Sequence, residues 1–481
     1  MKFISKRIFF LFVALLLIII LFFTINDLIK SGKFRESKYS KIVPNFIKVP
    51  LKKTIFKSKV LERDIAKLEK TLDLQKKQFT KISDKIRKYY VNQIKKGIIF
   101  EYKESSDYNF DNLDFRIDFY KTNDLFYPKN RVANATAYLE FYDNNIFLID
   151  PTGNFFYMNR DDFVSKNIIK KKFRNISSNI NEIVTDRNFF HESLYGVKDV
   201  YIDEDKMYIS FSNELTKDCY NMKILVAKLD LKILKFEEFF NPNKCVKKEN
   251  EYGEFHAYHS GGRIYALDEN QLVFTNGEFR FRDHAQNPDN YFGKILLINK
   301  HDMTTKVLSM GHRNPQGLYV DKENKIIFAT EHGPKGGDEV NIIKFSQIDK
   351  KLNFGWPISS YGNHYYKTTI PELKKSHKDY GFIEPAIYFT PSIGISEIIS
   401  IDQFVNNTNK NVVPLLLGSL GYSNRKEGQS IYFLNYLKNN ENINLIKSFR
   451  INRRIRDIVK TDNEVLLFFE NTSEIGSLKF N

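Results

Sequence analysis

The chain has 481 residues, with 74 Lys+Arg against 58 Asp+Glu, two Cys and one Trp. Its 42% hydrophobic and 27% charged residues exclude wholesale disorder, and 22 Gly with 13 Pro exclude collagen-like or Pro-rich chains. Two cysteines are too few for a disulfide-dense scaffold or a four-thiolate zinc site. The net charge of +16 divides unevenly: residues 1–100 hold 24 Lys+Arg and 7 Asp+Glu, which leaves 50 and 51 for residues 101–481. The basicity therefore belongs to an N-terminal arm, which reads as contact with lipid headgroups or another protein's surface. The body is neutral and shows no nucleic-acid module.

In chain order, Ile8 to Ile25 is an apolar run broken only by Thr24. At 1.5 Å per residue it spans about 27 Å, enough to cross a bilayer core. The flank TINDLIKSGKF has no small-x-small cleavage site, so residues 1–30 are expected to be an uncleaved signal anchor. Lys2, Lys6 and Arg7 precede the span, and Lys30, Lys33, Arg35, Lys38 and Lys41 follow it. That bias opposes export of the body, but long domains translocate largely regardless of charge. Residues 31–98 read as a basic linker and helical stalk. Leu61, Ile65, Leu68, Leu72, Gln75, Phe79, Ile82, Ile86 and Tyr89 recur at steps of four and three, a heptad seam that Gly97 ends. Two readings stand for it: an oligomerising coil, or one amphipathic helix lying on the body.

Residues 99–481 carry short apolar or alternating runs between Asn, Asp and Gly clusters. Examples are ATAYLEFYD (135–143), NIFLID (145–150), KMYISFS (206–212), KILVAKLD (223–230), GKILLIN (293–299), KIIFATE (325–331) and EVLLFFE (464–470). These are strand signals, joined by turns such as Asp143-Asn144. The length is too great for one sandwich. At about 40–45 residues per four-stranded blade it fits an all-β, six-bladed propeller. Cys219 and Cys245 are either one disulfide or two free thiols.

The chemistry concentrates in residues 256–357: HAYHSGGRIY, HAQNPDNYFGKIL, GHRNPQGL, TEHGPKGGDEVN and NFGWP. Taken singly, each reads as a strand end or a turn. In their order and spacing they resemble the quinoprotein sugar dehydrogenases, the soluble glucose, aldose sugar and glucose/sorbosone dehydrogenase group that uses pyrroloquinoline quinone (PQQ). The resemblance is strong over about 255–360, traceable from about 190 to about 470, and absent from 1–100.

It implies a six-bladed propeller with PQQ on its axis, a sugar substrate and a respiratory electron acceptor. The family's cofactor works outside the cytoplasm, so it also implies a single-pass inner-membrane protein with its body in the periplasm. Hydride transfer from a sugar to a quinone needs a base for the hydroxyl proton, positive charge at the quinone oxygen and cations for the cofactor's carboxylates. By resemblance His259 is that base, preferred over His256 by its spacing to Arg263. Arg313 is the electrostatic catalyst, and Asn314, Arg454 and Arg456 hold the cofactor with it. The Gly333 and Pro334 carbonyls would ligate Ca²⁺. Asp338 and Glu339 would serve structure or a further metal.

Three positions depart from the family pattern. Glu278 stands where it has an orienting Asp, Gly421 where it has a quinone-binding Lys (Arg425 and Lys426 lie nearby), and Leu194 where it has a Gln. These bear on PQQ affinity more than on fold. They leave an alternative reading, a cofactor-free periplasmic propeller that binds a carbohydrate or a protein.

Overall fold

Asp143 and Asn144 both adopt positive φ (48° and 55°). That conformation closes a two-residue hairpin between strands Tyr138–Tyr142 and Asn145–Ile149. Repeated hairpins of this kind build the body in the computed structural model, which describes residues 45–110, 113–125, 136–251, 254–365, 371–405, 407–421 and 427–480. The expected membrane span at 8–25, and Arg425 and Lys426, lie outside the described residues. Among the described residues no helix is long and apolar enough to cross a membrane.

Among those residues the strands fall into six radial sheets. Their inner strands are Tyr138–Tyr142, Val197–Asp203, Gly261–Ala266, Pro315–Asp321, Ile395–Ser400 and Arg454–Lys460. Each inner strand touches the next and the last touches the first, so the ring is closed and the fold is propeller-like. The sixth sheet is completed from both chain directions: Leu113–Lys121 pairs antiparallel with Glu474–Phe480, Phe115 opposite Phe480 and Lys121 opposite Glu474. Strand Ile98–Phe110 pairs with Leu113–Lys121 and with Lys170–Ser178, linking the sixth sheet to the first.

Stacking sheets face to face buries both faces of a central strand, which is why Val465–Glu470 and Ile326–Glu331 are buried at every position and read as continuous apolar runs. An outer strand such as Lys170–Ser178 has one wet face and alternates accordingly. Cys219 and Cys245 form a disulfide, beside the short ladder in which Val246 pairs with Tyr220.

The N-terminal helix runs Asn45–Ile94, and Gly97 follows it at φ 86°. The described part of the helix up to Lys85 and residues 86–481 form two separate units. Within the second unit Tyr90 and Ile94 pack with Ile98, Phe100 and Phe173. Earlier on the helix, the seam residues Leu61, Ile65, Leu68, Leu72 and Ile82 are exposed.

One feature recurs at the axis. Five inner strands shift register near their start, between Val197 and Asp199, Gly261 and Ile264, Pro315 and Gly317, Ile395 and Ile398, and Ile455 and Asp457. A bulge re-aims the side chain it carries. The residues within these shifts include Lys198, Arg263, Gln316, Glu397 and Arg456, and all five line cavities at the axis. Arg263 ties the ring together, with nitrogens 2.8 Å from Asp199, 2.6 Å from Asp457 and 2.9 Å from Glu397.

Candidate active site

His259 sits just before the third inner strand, and Glu278 follows the neighbouring strand Gln271–Asn276. Gly277 brings the two segments together. A Cβ there would lie 2.2 Å from the His259 carbonyl, so only glycine permits the approach. The amide of Phe279 donates to that same carbonyl. The result is a 3.0 Å contact between His259 Nδ1 and Glu278 Oε1, which leaves Nε2 as the nitrogen free to accept a proton. Burial, then the positive charges of Arg313 and Arg280, push the His259 imidazole well below its ordinary value. It is neutral at pH 7 and suited to act as a base. Burial pushes the Glu278 carboxyl up to about 7, against the opposing pull of Arg313, Arg282 and Arg280. The rival His256 packs 5.6 Å from the His259 ring centroid and accepts the Tyr258 amide at Nδ1.

Arg313 is held from both sides. Its amide donates to Glu331 at 2.7 Å, and its carbonyl accepts the Glu278 amide at 3.1 Å. Its guanidinium donates to the His332 and Gly333 carbonyls at 3.0 and 2.8 Å and lies 5.4 Å from the Trp356 ring centroid. One cavity is lined by Glu278, Arg280, Arg313, Pro334, Trp356 and Tyr365, among others. Glu278, Arg313 and Pro334 thus share this cavity; His259 contacts Glu278 and the Gly333 carbonyl accepts from Arg313, while Asn314, Arg454 and Arg456 do not line it.

A chain of hydrogen bonds joins the remaining residues to this group. Asn314 Oδ1 accepts from the Gly261 amide (3.2 Å) and from Gln316 Nε2 (3.1 Å). Arg456 donates to Gln316 Oε1 at 3.0 Å and to Glu470 at 2.7 Å. Arg454 donates to the other Glu470 oxygen at 2.7 Å. Arg454 and Arg456 therefore form a pair, bridged by a carboxylate that the sequence reading missed. Burial would raise Glu470, but Arg456 and Arg454 outweigh it and hold the carboxyl down at about 2. The signal for Glu470 lay in the register: it pairs directly opposite Arg454. Gln316 was present in the GHRNPQGL motif but not singled out, and Lys198 stands beside Asp199 at the start of the second inner strand.

The donor chemistry fits a planar polyanion. Arg313, Arg454, Arg456 and Lys198 lie in or beside the axial cavities, and one carboxylate, Glu470, neutralises part of that charge. Gly421 cannot replace the family's lysine, since a Cβ there would lie 2.3 Å from the Gly428 Cα. Its carbonyl accepts from Arg454, and the Leu194 carbonyl accepts from Lys198 at 2.7 Å.

Calcium finds less. The Gly333 carbonyl faces the Arg313 guanidinium, and the Pro334 carbonyl accepts the Tyr365 and Ser392 hydroxyls at 3.3 and 3.4 Å. Among the described residues no cluster of three or more His, Cys, Asp or Glu is placed to hold a metal. Asp338 accepts the Gly333, Gly394 and Ile395 amides and the Ser392 hydroxyl, which is a structural role, and Glu339 lies 3.2 Å from His377.

A family model described as Glucose / Sorbosone dehydrogenase matches residues 168–478. The chain is 31% identical over 151 residues to aldose sugar dehydrogenase YliI of Escherichia coli (strain K12), covering 29% of this chain and 39% of that one. It is also 31% identical over 131 residues to quinoprotein glucose dehydrogenase B of Acinetobacter calcoaceticus, covering 24% and 25%. The matched stretches span less than two fifths of these curated relatives. The solved structure of the soluble aldose sugar dehydrogenase from Escherichia coli in its apo form aligns with a TM-score of 0.55 at 19% identity, over 76% of this chain and 99% of that one, and so shares the fold. With its family model matched over most of the body, the chain belongs to the glucose/sorbosone dehydrogenase family.

Proposed function

We propose that the protein is a quinoprotein dehydrogenase that oxidises a sugar or related alcohol with PQQ as hydride acceptor. The observation that carries this reading is the cavity lined by Glu278 and Arg313, with His259 in 3.0 Å contact with Glu278. His259 Nε2 takes the hydroxyl proton, and Glu278, bonded to Nδ1, stabilises the imidazolium that results. Arg313 presents fixed positive charge where negative charge develops. Arg454, Arg456 and Asn314 hold and orient the ring. When bound, PQQ supplies the electrophilic carbonyl that receives the hydride. Calcium enters this reading as a companion of the cofactor, held by the Gly333 and Pro334 carbonyls only if Arg313 moves off the former.

The Acinetobacter relative, a quinoprotein glucose dehydrogenase, supports the cofactor class. In the same reading residues 1–30 anchor the chain in the inner membrane with the body in the periplasm, where a respiratory acceptor removes the electrons. The disulfide suits that oxidising compartment. The exposed heptad seam is the strip along which copies associate.

Reconstitution of the purified protein with PQQ and Ca²⁺ tests the function. Retained quinone absorbance and aldose-dependent dye reduction are expected. His259→Ala should abolish dye reduction while the quinone stays bound. No retained quinone would sink the proposal and favour the cofactor-free binding module, to which the Arg313–Gly333 contact and the bare Gly421 already point.

A further inference from the structure

Among the described residues Lys198 is a buried amine with no carboxylate partner. The register shift between Val197 and Asp199 turns it into the axial cavity. That cavity is lined also by Thr136, Tyr138, Ser193, Tyr258, Gln316 and Arg456. The side chain is 8% exposed. Its Nζ donates to the Ser193 and Leu194 carbonyls at 3.0 and 2.7 Å, two of its three protons, and lies 5.8 Å from the Tyr258 ring centroid. Among the described residues no carboxylate pairs with it. The other charges at this height are already committed: Arg263 to Asp199, Asp457 and Glu397, and Arg456 to Glu470.

A buried ammonium with an unused proton and no counter-ion is costly to maintain. Burial, followed by repulsion from Arg456, pushes the amine down to about 7. A carboxylate delivered into the cavity would remove that cost, because it accepts a hydrogen bond from the third N–H and supplies the opposite charge.

We propose that Lys198 is a cofactor-binding residue whose ammonium receives a carboxylate of PQQ at the floor of the axial pocket, supplying from the second inner strand the positive charge that Gly421 lacks. This rests on the quinoprotein reading for the identity of the anion but not for the existence of the site. Binding draws a proton onto the amine.

The test is calorimetric titration of the full chain at pH 8 with two probes, PQQ and the redox-inert benzene-1,3,5-tricarboxylate, in buffers of different ionisation enthalpy. Wild type is expected to bind PQQ with net proton uptake. Lys198→Met should weaken binding about tenfold or more and abolish the uptake. Lys198→Arg should keep most of the affinity but take up no proton, which a purely structural role would not produce. An unlowered melting temperature of ligand-free Lys198→Met shows that the variant folds.

Equal PQQ affinity and equal proton uptake in wild type and Lys198→Met would overturn the assignment and leave the quinoprotein reading intact. Lys198-dependent binding of the tricarboxylate without PQQ binding would do the reverse. Binding of neither probe by wild type would overturn both.

Discussion

Burial acts in opposite directions on the two members of the His259–Glu278 pair. It drives the His259 imidazole down, so the base is free of protons, and the Glu278 carboxyl up to about 7. Below that pH the carboxyl holds a proton and cannot stabilise an imidazolium. Above it the negative charge is in place. The pH profile of kcat/KM for aldose oxidation should therefore rise through about pH 7. Glu278→Gln should remove that limb and lower the rate at pH 8 by roughly 10²-fold, within the range of general acid–base effects. A rising limb that persists in Glu278→Gln would assign it to another group. The longer side chain in place of Asp costs the pair nothing in contact, since the His–Glu distance is 3.0 Å.

At the scale of the element, the hairpin Arg454–Lys460 with Val465–Glu470 carries its own charge balance. Glu470 pairs with two arginines on the facing strand and offsets part of their charge. Its folded value of about 2 lies below the ordinary value of 4.5. The stability it contributes is thus fully present above pH 4.5 and lost as the pH falls through 2. Glu470→Gln should lower the unfolding free energy in urea at pH 7 by about 3–5 kcal/mol, because Arg454 and Arg456 are left without counter-charge. The variant should also lose less stability than wild type between pH 4.5 and 2. In the second sheet, the disulfide closes a loop of sequence separation 26. Its reduction should cost about 3 kcal/mol by chain entropy, read as a lower urea midpoint with dithiothreitol.

On the scale of the whole molecule, the ring is held by hydrogen bonding between Leu113–Lys121 and Glu474–Phe480 at its closure and by Arg263 at its centre. Three carboxylates face one guanidinium there, and burial pushes Glu397 up to about 8 and Asp199 up to about 7. The native state keeps protons that the unfolded chain releases, so this cluster makes stability decline as pH rises from about 4.5 to 8. Glu397→Gln should flatten that decline in urea unfolding measured across the range. Arg263→Met should destabilise by several kcal/mol at pH 8, since it strands the three carboxylates.

The sequence alone determined the strands, because an element's face pattern is local. A continuous apolar run such as 465–470 reports that both faces are buried. It also offered His259, Arg313 and Asn314 as candidates, since they sit in short motifs that hold their spacing along the chain. The tertiary structure decided the rest. Glu470, Gln316 and Lys198 become site residues only when strands far apart in sequence meet at the axis. Lys198 and Gln316 are aimed by register shifts, which leave no mark in composition, and Glu470 by its pairing opposite Arg454. The fate of Gly421 was likewise invisible in the sequence, because what excludes a side chain there is the backbone of Gly428 across the loop. Local chemistry is written in the chain, but the pairing of buried charges is fixed by which strands the closed ring brings together.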